Sequence, residues 1–342
     1  MHKKNIVTIG GGTGGFTLLS GLKNYPFNIS AVVSMADDGG STGRLRDELG
    51  VLPPGDIRQC LVALSEESQI LRDLFNYRFE AGDLEGHTVG NLFLSALEKI
   101  NGNFSQGLEV AMKILKIKGE VIPVTNDDTR LVMKLKNGEM LKGEAAIYQT
   151  DKISDNGVEN IILDPRAKAN HKAIDRIKKA DIIVIGPGGI YCAIIPNLLV
   201  KGISEAIVKS KAKIIYVANL VGKKGQTENL RMDDYADLVN RYLKSDRINY
   251  VLRNSKRPSS VLEQKYTSKG ENLVEFSPLD RSNRSYRIIE ADLLSRKAAT
   301  FGKGHTLTQF RSLIRHDSNR LARLIVYISE MGEYKNLIKN II

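Results

Sequence analysis

Six small residues, Gly10-Gly11-Gly12-Thr13-Gly14-Gly15, directly follow the apolar run Ile6-Val7-Thr8-Ile9. Gly10, Gly12 and Gly15 satisfy the spacing G-x-G-x-x-G in a strand, turn and helix context. Residues without side chains allow a tight turn and let backbone N–H groups approach a phosphate. The helix that follows adds partial positive charge at its N-terminus. The nucleotide reading therefore requires those amides to face an anion rather than be satisfied internally. The G-K-[S/T] ending of a Walker loop is absent, which argues against that class of NTPase.

A second constellation, Ala36-Asp37-Asp38-Gly39-Gly40-Ser41-Thr42-Gly43-Arg44-Leu45-Arg46, ends the next β-branched run. Asp37 or Asp38 can take ribose hydroxyls or hold Mg²⁺ on phosphates, and Arg44 and Arg46 can fork onto phosphate oxygens. An Asx-type turn with two surface arginines fits the same letters. Pro53-Pro54-Gly55-Asp56-Ile57-Arg58 either lines the same crevice or caps a helix locally. In Gly86-His87-Thr88-Val89-Gly90-Asn91, His87 is a candidate general base or a satisfied structural group. Gly186-Pro187-Gly188-Gly189 repeats the glycine-rich pattern after another strand, as expected for two turns sharing one cleft. Asn219 ends a further strand and leads into Gly222-Lys223-Lys224-Gly225, whose lysines are either phosphate contacts or solvated loop residues.

These residues need a scaffold that brings strand ends together. Short apolar runs at Asn5–Ile9, Ile29–Met35, Ile182–Ile185, Ile214–Ala218 and Ile248–Leu252 alternate with amphipathic stretches. That alternation predicts βαβ units: a Rossmann-like, doubly wound, mainly parallel α/β sheet. A helix is expected from about Phe16 to Asn24, and another within 167–179, where Ala173, Ile174 and Ile177 recur at helical spacing. Asn137-Gly138 between two β-rich runs predicts a hairpin, carried by a β insertion at about 120–165. The nucleotide-binding core is expected over 1–257, with 258–342 as an extension packing on it. Its last helix starts at Asp317 and sets Leu321, Leu324, Ile325 and Ile328 on one face.

The chain has 342 residues, 42% hydrophobic and 26% charged, as in ordinary folded proteins. No apolar run approaches the roughly 20 residues of a membrane span. Two cysteines, Cys60 and Cys192, form neither a disulfide framework nor a metal spacing, which suits a reducing cytoplasm. The net charge of +11 reads either as a solvated basic surface or as attraction to anionic ligands, phosphates above all. No zinc-finger spacing, RRM signature or Arg-rich arm points to nucleic acid.

Taken together, GGGTGG, ADDGGSTGRLR, PPGDIRQCLVAL, GHTVGNLFLSAL and GPGGIYCAIIPNLLVKGI resemble the CofD/YvcK-like family over about residues 5–255. The nearer branch is the gluconeogenesis factors rather than the phospholactate transferases of deazaflavin cofactor synthesis. The resemblance implies a Rossmann-like core, cytoplasmic residence and support of growth and cell shape on gluconeogenic carbon. It further implies a small-molecule nucleotide ligand, a UDP-sugar such as UDP-N-acetylglucosamine or a pyridine dinucleotide, and a regulatory protein partner, with a homo-oligomer left open. It places the phosphate loop at Gly11, Gly12, Thr13 and Gly14, and further contacts at Asp37, Asp38, Ser41, Arg44, Gly188, Asn219 and Lys223. Tyr266 and Arg315 complete the sugar-nucleotide site, and Asp37 and Asp38 are the candidate Mg²⁺ ligands. The family usually reads GPGSLYTS and N-x-M-T-Q-P-G-E-T, so hydroxyls are missing here at Gly189, Cys192 and Ala193, and two lysines appear at 223–224. No nucleophile paired with a base stands out, which favours binding over turnover. The alternative is a Mg²⁺-dependent transferase of a phospholactyl-type group. A chain with 6% aromatics and no Trp offers such an enzyme few surfaces for a flat second substrate.

Overall fold

A computed structural model describes residues 3–275, 284–296 and 314–339. Seven strands form one sheet: β1 (Asn5–Gly10), β2 (Asn28–Val33), β3 (Glu120–Pro123), β7 (Ile182–Ile185), β8 (Lys213–Val217), β9 (Tyr250–Asn254) and β10 (Arg287–Ala291). Their spatial order is β10-β9-β8-β7-β1-β2-β3, and every pairing is parallel. The central strands lie under helices, so they must be apolar on both sides. Ile182, Ile183, Val184 and Ile185 are accordingly buried without alternation.

From β1 the chain winds outward through β2 to β3, then returns to β7 on the other side of β1 and winds outward to β10. Adjacent strands that depart in opposite directions leave a crevice beyond their carboxyl ends. That crevice lies above β1 and β7. Right-handed crossovers put the connecting helices of the two halves on opposite faces. On one face α1 (Gly12–Leu22) packs against both α3 (Gly55–Leu64) and the helix Ser318–Lys339. Gly21 permits the second contact, because a Cβ there would lie 2.0 Å from the Ser318 carbonyl oxygen.

Most expected elements are present with shifted ends. α1 starts inside the glycine run at Gly12 instead of near Phe16, and β9 lies two residues later than its apolar run suggests. Asn137-Gly138 joins β4 (Arg130–Leu135) to β5 (Met140–Lys142), and Gly138 takes φ +88. With β6 (Val158–Asp164) these make a separate antiparallel sheet, ordered β5-β4-β6. The insertion therefore begins after β3, which belongs to the main sheet. Residues 258–342 likewise divide, because β10 is an edge strand of the main sheet. Arg284 fixes its approach through a two-pronged ion pair to Asp233, at 2.6 and 2.8 Å, and Tyr286 donates to the same carboxylate at 2.8 Å. Asp317 caps the last helix, accepting from the amides of Asn319 and Arg320.

Candidate functional site

The glycine turn sits where the two halves of the sheet diverge. Gly12 has φ +60, a conformation that favours glycine. Gly14 lies on the second turn so closely that a Cβ would meet the Pro187 carbonyl oxygen at 1.9 Å. The two glycine-rich turns expected to share a cleft are in contact. Helix geometry leaves the first N–H groups of α1 without intrahelical acceptors. Gly12 donates its N–H to the carboxylate of Asp56, in the first turn of α3. The turn is thus an anion cradle, one amide of which holds the protein's own carboxylate. The amides of Thr13 and Gly14 follow it at the open end of the helix.

Asp37 closes an Asx turn: its Oδ1 accepts from Gly39 N–H at 3.0 Å, and Thr42 adds a side-chain bond. A Cβ on Gly55 would lie 2.5 Å from Asp37 Oδ2, so the start of α3 presses on this carboxylate. Asp38 faces elsewhere. Its Oδ1 accepts from Ala145 N–H at 2.7 Å and its Oδ2 lies 3.6 Å from Arg130. Asp37 is thus held against the starts of α2 and α3, and Asp38 against the insertion. Among the described residues no group of three His, Cys, Asp or Glu side chains is placed to hold a metal ion.

Arg46 is a correction to the sequence reading. It is buried, with Nη1 donating to the Asp37 carbonyl at 2.9 Å and Nη2 to Thr129 O at 2.9 Å and to Asp128. It joins α2 (Gly40–Leu49) to the insertion and is not a phosphate fork. Arg44 is exposed on the same helix and donates to the Glu85 carbonyl. Ser41 bonds His87 and Asn91, which lie at the start of and within α5 (Val89–Asn101), the helix that follows α4 (Gln69–Asn76).

Across the crevice, Asn219 Nδ2 donates to the Gly188 carbonyl at 3.0 Å, and Tyr216 donates to Asn219 Oδ1 at 3.2 Å. Asn219 thereby locks the β8 end to the β7 turn. Lys223 Nζ lies 3.1 Å from the centre of the Tyr148 ring and donates to the Tyr148 carbonyl. Burial pulls its pKa down to about 8, opposed by Cys192, Glu144 and Glu271. Gln226 Nε2 reaches the carbonyls of Ile147, Tyr148 and Thr150 at 2.7, 2.9 and 3.2 Å. The 219–227 loop and the insertion are thus tied side chain to backbone. Gln226→Ala is expected to raise amide exchange over 147–150 about tenfold, the loss of one to two net hydrogen bonds. Unchanged exchange there would contradict this tether. Farther out, Tyr266 accepts from the Ile314 amide at 3.2 Å, and His316 bonds the backbone of Ala218, the residue before Asn219. The Tyr266 and Arg315 segments therefore reach the β8 rim of the crevice.

Sequence reasoning missed Glu144. It follows Gly143, whose Cβ would crowd Asp38 Oδ2 at 2.4 Å, and it brings a third carboxyl to Asp37 and Asp56. Burial, then repulsion from Asp37, pushes Glu144 up to about 8 and Asp56 up to about 7. Burial raises Asp37 as well. Only the Gly143-Glu144 step after the hairpin hinted at it, because nothing local marks a residue that becomes buried by folding back.

The family profile described as 2-phospho-L-lactate transferase CofD matches residues 6–294, spanning both glycine turns and the insertion. The chain belongs to the CofD family. Within it, the chain is similar to proteins named gluconeogenesis factor. The Bacillus subtilis factor is 35% identical over 327 residues, 95% of this chain and 98% of the relative. That of Halalkalibacterium halodurans is 40% identical over 268 residues, 78% and 82% respectively. A crystal structure of a Bacillus halodurans protein matches with TM-score 0.86 and 34% identity, covering 95% of this chain and all of that one. The CofD-family fold and the gluconeogenesis-factor branch are thus as the sequence motifs implied.

Proposed function

We propose that this CofD-family chain binds a nucleotide sugar of the UDP-N-acetylglucosamine kind in the crevice and acts as a regulatory protein. It would do so in the cytoplasm, supporting growth and cell shape on gluconeogenic carbon. The observation that carries the reading is the open first turn of α1 at the strand switch point, where N–H groups and helix charge suit a pyrophosphate. Asp56 can lose its charge near neutral pH, so a phosphate placed against Thr13 and Gly14 need not meet a full carboxylate charge. Lys223 and Gln226 join this crevice to the insertion, which gives occupancy a route to a partner surface. No helix among the described residues is long and apolar enough to cross a membrane.

The test is thermal melting and calorimetry with UDP-N-acetylglucosamine, UDP-glucose, UMP, NAD⁺ and NADP⁺. A ligand present at a hundredfold its Kd adds about 2.7 kcal/mol to stability, a shift of several degrees. Flat melting curves across the panel at millimolar ligand would remove the nucleotide reading. A second reading, phospholactyl transfer, is favoured by the family profile's own description. Asp37 and Asp38 would be the residues to hold its Mg²⁺, which would place the charge of the metal beside the crowded Asp37, Asp56 and Glu144 carboxyls. Product formation from a nucleoside-diphosphate-linked lactate and a deazaflavin alcohol would establish it over binding alone.

A further inference from the structure

A chain of four side chains runs from Arg58 on α3 through Asn91 and Ser41 to His87, and hydrogen-bond satisfaction sets its directions. Arg58 is buried and can only donate, so its Nε bond of 3.0 Å fixes the accepting atom of Asn91 as Oδ1. Asn91 must then present Nδ2 to Ser41 Oγ, at 3.0 Å. Ser41 Oγ accepts from Asn91 and lies 3.0 Å from His87 Nδ1. An Nδ1–H donated to Ser41 would leave the buried Ser41 O–H without an acceptor among the described residues, so the arrangement that satisfies every group has Ser41 donating to Nδ1. An imidazole that accepts at Nδ1 carries its hydrogen on Nε2. His87 is 5% exposed, and Nε2 meets no partner among the described residues.

The surroundings of this ring select the charge of what it meets. Ser41 lies in the first turn of α2 and His87 just ahead of α5, so two helix N-termini converge there. Arg44 on α2 and Arg78 before α5 face the ring, against Glu48 alone among facing acids. Burial and the two arginines hold His87 below its ordinary pKa, and so neutral at pH 7.

We infer that His87 is a ligand-binding residue that offers a fixed Nε2–H donor to a phosphoryl oxygen, its tautomer set by Arg58 through Asn91 and Ser41. The inference rests on the nucleotide reading for the identity of its acceptor, whereas the tautomer follows from the side-chain chain alone. It also gives His87 a role other than general base, because Nδ1 is occupied and Nε2 already carries a proton.

The experiment has two arms on the full chain. In the first, ¹⁵N-histidine-labelled protein at pH 7 is examined by long-range ¹H–¹⁵N correlation, with His87 assigned by its loss in His87→Gln. The expected signature is a neutral Nε2–H ring that becomes a tautomer mixture in Ser41→Ala. In the second, calorimetry with UDP-N-acetylglucosamine compares wild type, His87→Ala and His87→Gln. His87→Ala is expected to weaken binding about tenfold, as for one lost charge-assisted bond. His87→Gln, which keeps an N–H donor at similar reach, should stay within about threefold. An Nδ1–H or charged ring in the wild type would overturn the tautomer chain even if binding is normal. Equal affinities for wild type and His87→Ala would overturn the donor role. If the wild type binds none of the nucleotide panel, the acceptor assignment falls together with the nucleotide reading.

Discussion

Asp56→Asn is expected to stabilise the protein, and to do so more at pH 8 than at pH 5. Asp56 is buried beside Asp37 and within the field of Glu144, with Arg58 on its own helix as the opposing charge. Its folded pKa is about 7 against an ordinary 3.8. A carboxyl raised in this way binds its proton more tightly folded than unfolded. Its neutral form supports the fold fully only below about pH 3.8, and that support is lost progressively as pH rises to about 7. Glu144, raised to about 8, extends the same loss to slightly higher pH. Asn keeps an oxygen for the Gly12 amide and gives Asp37 a donor in place of a charge. The gain at pH 8 should be about 2 kcal/mol, read as the difference in urea midpoints between the two pH values. Glu144→Gln should behave similarly. A variant that loses stability equally at both pH values would show that the Asp56 charge is paired rather than crowded.

Gly14→Ala is the other large effect, and its neighbour provides the contrast. At Gly14 the added methyl would sit 1.9 Å from the Pro187 carbonyl oxygen and 2.6 Å from its carbon, both backbone atoms that cannot swing aside. The two glycine turns would have to part, at about 3 kcal/mol or more. The melting temperature should fall by roughly 4 °C or more, and nucleotide binding of the proposed kind should be lost with it. At Gly15 the nearest atom is Cys60 Sγ at 3.7 Å, ordinary contact, and the position is helical. Gly15→Ala should therefore be neutral or gain up to about 1 kcal/mol. If both substitutions were equally tolerated, the contact between the turns would not be what holds the crevice together.

The parts of the site that were legible in sequence are those whose reason is local. The glycine run after β1, the Asn137-Gly138 hairpin and the Asp317 cap each follow from conformational needs within a few residues. The parts that were not legible depend on burial created by distant segments. Arg46 reads as a phosphate fork until Thr129 and Asp128 close over it, and the bond that Asp38 accepts from Ala145 of the insertion has no local signal. Glu144 has no signal of its own, since its raised pKa comes first from burial and then from acids about 90 to 110 positions earlier in the chain. β10 was counted with the extension because an edge strand carries polar residues such as Arg287 and Glu290 among its apolar ones. His87 was visible as a histidine beside a helix start, but its bond to Ser41 was not.

The abutment of Gly14 on Pro187 also decides how the crevice can change shape. Two strand ends welded at van der Waals distance form a floor that cannot breathe, so a guest must enter and leave by its walls. Those walls are the 143–150 stretch and the 219–227 loop, clasped by Gln226 and Lys223. Here the loop departs from the usual family wording, and so does the 189–193 turn beside it. A ligand of the proposed kind would thus meet this chain's own residues at the doorway and the contact between the glycine turns at the floor.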